Sequence, residues 1–295
     1  MTSAEELLTD VQTLRRRARR DRRASAFPLL LFGVLILAAP LCYVPMEPVE
    51  LDFTSGVWYM DQIPEGPFPA FFGIGPFVAV KYPGLIGWYW FLVIVVGFVA
   101  TAWWYRRRAL RIGVETDTRA YLVSAGAALA GFLLGVPLLK ELVPARNTLY
   151  STPSTNLPIL FGSAAVAAVV LFWATRRDRA DILRAAGLLL GLLLATVAFA
   201  ALGVYLIYGF SALLIVAAGL LVLAWLERSV LLGGIGVVFG AAALLANLYD
   251  IENLFYLLGW IPDQPQPLVL QQLLLPALVL LAGSAIVALS GRSAR

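Results

Sequence analysis

Carboxylates are the side chains of this chain best suited to chemistry. Asp250 and Glu252 follow Asn247 at the end of an apolar run, and Asp263 lies further along the same loop. Glu47, Glu50, Asp52, Asp61 and Glu65 fall in an earlier loop rich in proline and aromatic residues. Paired carboxylates can share general acid–base work or hold a divalent cation. Solvated loop charges are far commoner, so a catalytic or metal assignment needs a cleft that gathers them. The chain has no histidine, the usual proton shuttle and metal ligand, and its one cysteine, Cys42, excludes an internal disulfide or a multi-cysteine metal site. The expectation is a protein without catalytic residues, cofactor or metal.

The elements that must position these residues are set by hydropathy. The chain is 61% hydrophobic and 14% charged, against roughly 45–50% and 25% in an average soluble protein. Eight apolar stretches of 18–22 residues stand near 27–44, 85–105, 120–139, 157–175, 185–203, 206–226, 230–247 and 268–289. At about 1.5 Å per residue, each matches a hydrocarbon core of roughly 30 Å. The apolar run over 185–226 is too long for one crossing and basic at both flanks, so it folds back near 203–209. The expected fold is all-α, a polytopic transmembrane bundle of eight spans.

Arginine placement orients the bundle. With the N-terminus in the cytoplasm, nineteen of the 22 basic residues fall inside, and only Lys81, Lys140 and Arg146 fall outside. Both termini are then cytoplasmic, and the outer loops cover 45–84, 140–156 and 248–267. Residues 1–26 form a separate basic amphipathic helix, with Leu7, Leu8, Val11 and Leu14 on one face and Arg15, Arg16 and Arg17 opening the arginine run. That leader is expected to lie on anionic lipid of the inner leaflet, or to dock a cytoplasmic partner. Arg106, Arg107 and Arg108 anchor the second span at the same surface, next to Trp103 and Trp104. This basic bias concerns the membrane and says nothing of nucleic acid.

The outer loops carry the remaining candidates. Residues 45–83 contain seven prolines and eight aromatic residues, among them Trp58 and Tyr59. The 248–267 loop reads as a short amphipathic helix over 251–261, with Ile251, Leu254, Phe255 and Leu258 on one face, Trp260 near its end and Pro262 closing it. Trp58, Tyr59, Asp250, Glu252, Phe255 and Trp260 are the nominated ligand-binding residues. Glycine pairs spaced by four, Gly131/Gly135, Gly187/Gly191 and Gly236/Gly240, fit close helix packing within the bundle or a homodimer seam. No span carries a charge in its middle, which disfavours a proton-coupled pump.

Leu14-Arg15-Arg16-Arg17 running into Phe27-Pro28-Leu29-Leu30, Tyr105-Arg106-Arg107-Arg108 before Gly113-Val114, and Asn247-Leu248-Tyr249 carry a resemblance. On these residues the chain resembles uncharacterised polytopic integral membrane proteins of actinobacteria. The resemblance implies a multi-pass protein of a bacterial plasma membrane, in a sensing, accessory or resistance role. It transfers no site residue. The expected function is non-enzymatic binding of a hydrophobic or amphipathic ligand, or of a partner protein. The alternatives are a small-molecule or lipid transporter and, last, an outer-face glycosyltransferase-like enzyme.

Overall fold

Two helices of 17 residues, α5 (Ser211–Glu227) and α6 (Val230–Ala246), show how this sequence builds structure. A cap stops α5. The amide of Arg228 donates to Trp225 O and that of Ser229 to Ala224 O, the paired bonds of a Schellman motif. Such a motif needs a left-handed residue, and Arg228 supplies it at φ 51°. Ser229 then caps α6, its Oγ accepting from the Leu232 amide at 3.3 Å. The hairpin closes on small residues. A Cβ on Gly236 would stand 3.1 Å from Leu221, and one on Gly240 would stand 3.7 Å from Ala217. Replacing Ser229 by alanine should cost about 1 kcal/mol, and Arg228→Gly should regain about 1 kcal/mol by removing the left-handed penalty. Equilibrium unfolding of both variants in bicelles checks the opposed signs.

The computed structural model describes residues 25–44, 81–112, 153–174, 181–202, 206, 209–248, 250–260 and 265–290. Among them the protein is all-helical. The first helix, α1, spans Ala26–Ala38 and runs into one 3-10 turn, Ala39–Cys42. The next three are α2 (Pro83–Ile112), α3 (Pro153–Ala174) and α4 (Asp181–Leu202). After α5 and α6 come α7 (Asp250–Leu257) and α8 (Pro265–Ser290).

The chain divides into two units, the first made of Met1–Tyr43, Leu92–Thr101 and Ala212–Arg295. Here α1 packs on α8: a Cβ on Gly33 would stand 2.9 Å from Leu281, and Ser284 Oγ donates to Ala26 O at 2.9 Å. Gly97, in the middle of α2, lies against the Phe32 ring of α1. Gly283 of α8 receives Ile235 of α6. The second unit comprises Val44–Phe91 and Ala102–Ser211. Its main contact joins α3 to α4, with Gly187 on Ala174 and Gly191 on Leu171. Within it, Trp90 is fully buried and its ring meets that of Phe210 at 6.4 Å.

Among the described residues, three helices are long and apolar enough to cross a membrane, over Gly84–Arg108, Leu157–Ala174 and Gln266–Ser290. Four shorter apolar helices cover Ala26–Cys42, Ala185–Phe199, Ser211–Trp225 and Val230–Ala246. The expected span at 120–139 lies outside the described residues, as do the leader helix and most of the first two outer loops. Several boundaries differ from the hydropathy windows. The second helix continues through Arg106–Arg108 to Ile112, because arginine is a good helix former and hydrogen bonding does not stop where apolarity does. Helix α4 starts at Asp181 and α8 at Pro265, both ahead of their apolar windows, because aspartate and proline suit a helix's first turn.

Burial is distributed as a bilayer demands. In the first unit Val222, Val237, Val238, Leu278 and Ile286 are exposed, whereas Asn247, Gln271, Gln272 and Ser284 are buried. Water would oppose this arrangement, and lipid tails favour it. Ser163 and Thr196 satisfy their hydroxyls on their own helices, through Ile159 O and Leu192 O.

Candidate functional site

Buried side-chain amides stand where α6 ends and α8 begins: Asn247, Gln271 and Gln272. Asn247 terminates α6: its amide donates to Leu244 O, and its side-chain Nδ2 donates to Ala243 O at 2.8 Å. Three residues on, α7 begins. A second Schellman motif ends it, with Gly259 N donating to Tyr256 O and Trp260 N to Phe255 O. Gly259 takes the left-handed conformation at φ 78°, as the motif requires. The Phe255 and Trp260 rings close the motif edge to face, 5.0 Å apart. This local chemistry, and not Pro262, stops the helix.

The turn is tied to α8 by one side chain. Gln271 Nε2 donates to Trp260 O at 2.7 Å. Gln271 and its neighbour Gln272 are both 0% exposed. Gln271 Oε1 and both polar atoms of Gln272 have no hydrogen-bond partner among the described residues. Pro276 lies one turn further along α8 and has no N–H, so the Gln272 main-chain carbonyl also lacks its helical donor. Leaving such groups unmet in a low-dielectric interior costs about 1–3 kcal/mol each. Side-chain amides do not ionise near neutral pH and carry no charge. The site can hold a neutral hydrogen-bonding group.

The residues nominated by the sequence are scattered differently. Trp58, Tyr59, Gly131, Gly135, Arg15, Arg16 and Arg17 lie outside the described residues. Asp250 is exposed at the start of α7, and Glu252 lies on the same helix. Phe255 and Trp260 are brought together. On α7 the inward residue is Ile251, with Phe255 half-buried, while Leu254 and Leu258 are exposed. Gly187, Gly191, Gly236 and Gly240 all sit at helix contacts inside one chain. Arg106 and Arg107 are exposed and Arg108 is half-exposed; the Arg107 guanidinium lies 5.1 Å from the centroid of the Trp103 ring. Among the described residues no group of three His, Cys, Asp or Glu could hold a metal ion.

Gln271 and Gln272 are absent from the residues the sequence nominates. A signal for them exists, namely two adjacent amides inside an apolar helix, four residues before a proline. A second feature, an open groove between α3 and α4, is lined by Val169, Val170, Trp173, Leu183, Ala186, Gly187 and Leu190. It is almost wholly apolar and can take an acyl chain but no headgroup.

No protein-family model, no curated protein and no solved structure matches the chain.

Proposed function

We propose that this chain is a multi-pass protein of a bacterial plasma membrane that binds a hydrophobic or amphipathic molecule, or a partner protein, without catalysing a reaction. The observation that carries the reading is the pair of buried amides at the start of α8, Gln271 and Gln272, of which Gln271 is bonded to Trp260 O. Amides recognise uncharged hydrogen-bonding groups, and a bilayer delivers such molecules to a helix bundle laterally. The test replaces residues 250–260 by a Gly-Ser linker in the full chain and measures amphiphiles retained after mild extraction. Loss of retention is expected, and unchanged retention would count against the reading.

The layout in this proposal is eight crossings with both termini in the cytoplasm. Arginine distribution supports it. So does Arg228, which keeps a strained left-handed conformation where glycine would be relaxed, because a positive charge at that hairpin holds it on the cytoplasmic side. Reporter fusions after Arg111 should be cytoplasmic and fusions after Trp260 external. The reverse pattern would invert the layout.

Transport is the second reading, and one observation favours it. Pro276 interrupts α8 beside buried polar groups, a pattern that secondary transporters use at substrate sites. Uptake of a labelled neutral amphiphile into proteoliposomes separates transport from binding alone.

A further inference from the structure

Helices α3 and α4 lie wholly within the second unit and are joined by the six residues 175–180. They pack antiparallel, since Gly187 meets Ala174 and Gly191 meets Leu171 one turn deeper. Along that seam the glycines admit their neighbours and the helices touch. Beside it the hairpin is open. Val169 and Trp173 of α3, with Leu183, Ala186 and Leu190 of α4, are exposed and flank the buried Gly187. The groove they form encloses about 350 Å³, at the low end of the roughly 300–1,000 Å³ of small-molecule sites. It has room for one slender apolar occupant.

The depth of the groove selects that occupant. Its lining ends at Leu190, nine residues into α4 from Asp181. At about 1.5 Å per residue it reaches about 14 Å from the connection. That is close to one leaflet, half of a hydrocarbon core of roughly 30 Å. A crossing helix, from this chain or from a second copy, would call for a groove along the whole hairpin. An acyl chain descending from one membrane surface calls for this length.

Charge at the shallow end selects the headgroup. Over 176–184, Arg176, Arg177, Arg179 and Arg184 stand against Asp178 and Asp181, a net charge of +2. A residue advances the chain by at most ~3.6 Å, so the three arginines of the connection stay within about 11 Å of Ala174 or Asp181. Arg184 stands one turn before Gly187 on α4. Basic residues between transmembrane helices attract anionic headgroups at the membrane surface. Arginine suits phosphate in particular, because its planar fork donates two parallel hydrogen bonds.

We propose that this groove is a site for one anionic glycerophospholipid, with an acyl chain between α3 and α4 and its phosphate at the arginine-rich end. The site shares no residue with the buried amides and does not rest on them. Bound lipid supplies the dispersion contacts that the open flank of the hairpin lacks, and it stabilises the folded helix pair by mass action.

The test compares dioleoylphosphatidylglycerol with dioleoylphosphatidylcholine, which has the same acyl chains and no net charge. The full chain is released from mixed nanodiscs, and native mass spectrometry counts the lipids retained. Phosphatidylglycerol should be favoured about fivefold, the effect of one basic residue on one phosphate. Ala186→Phe, which fills the groove, should abolish the preference. Ala168→Phe, exposed on another face of α3, should leave it intact. Arg176→Gln/Arg177→Gln should bring it close to one, and so should about 0.5 M salt with the chain unaltered. Dibrominated phosphatidylglycerol should quench more tryptophan fluorescence than its choline counterpart, and the excess should vanish in Trp173→Phe. Equal retention of the two lipids, a preference that survives Ala186→Phe, or displacement by an equal amount of oleate overturns the inference. A dimer that dissociates in Ala186→Phe also overturns it and gives the groove to a second copy. Each of these outcomes leaves the amide reading, tested at residues 250–260, where it stands.

Discussion

Gly187→Leu is expected to force α3 and α4 apart and to destabilise the second unit by about 3 kcal/mol. A Cβ at Gly187 would stand 2.8 Å from the Ala174 Cβ and 3.3 Å from Trp173 Cζ3. Carbons pack comfortably at about 3.5–4.0 Å. The Ala174 Cβ is fixed to its backbone and has no rotamer by which to move aside. The helices themselves must separate, and every dispersion contact along the seam weakens with distance. Lipid supplies no hydrophobic drive to close the gap again. Gly162→Leu is the control: Gly162 lies on the exposed side of α3, where an added Cβ meets nothing within 4 Å. Steric-trap unfolding in bicelles should show a large loss for Gly187→Leu and almost none for Gly162→Leu. Equal losses would mean that the seam is not where the glycines put it.

Gln272→Leu is expected to raise stability, by about 2 kcal/mol. Most buried substitutions lower it. Here the side chain is fully buried and neither polar atom has a partner among the described residues. Leucine occupies a similar volume and carries no desolvated dipole, so the penalty of the unmet amide disappears. Gln271→Leu should come out near zero, because it loses the 2.7 Å bond to Trp260 O while relieving its own buried Oε1. The contrast between adjacent glutamines is the informative measurement, made by thermal unfolding without added amphiphile. A destabilised Gln272→Leu would show that the native amide is already satisfied, and the binding reading would lose the observation it rests on. A gain of stability on removal is the mark of a residue kept for binding.

Part of the site was legible in the chain. Ile251, Leu254, Phe255 and Leu258 announce a short helix by spacing, and the structure puts one at Asp250–Leu257, with Ile251 buried but Leu254 and Leu258 exposed. Its end was misjudged. Pro262 is the louder breaker, but Gly259 supplies the left-handed residue that a Schellman cap needs, and the cap acts first. Glutamines 271 and 272 were passed over for a different reason. In a hydropathy window their polarity is averaged away by the leucines around them, and nothing local states whether they face lipid, water or protein. Carboxylates drew the eye because they can do chemistry, yet Asp250 is exposed on α7.

What the sequence determined by itself is the all-helical character and the membrane-compatible length of its longest apolar runs. Both follow from short-range physics, since a backbone in lipid must bond to itself within a few residues, and apolar runs of that length leave it no other partner. Gly33, Gly97 and Gly283, where an added Cβ would meet a neighbouring helix at 2.9 Å or less, carry no such signal in the sequence. The tertiary structure alone decided which polar groups are hidden. The Gln271 bond depends on the Trp260 carbonyl folding back to it, and the burial of Gln272 depends on what packs around α8. Those are relations between residues distant in the chain, and no window of sequence contains them.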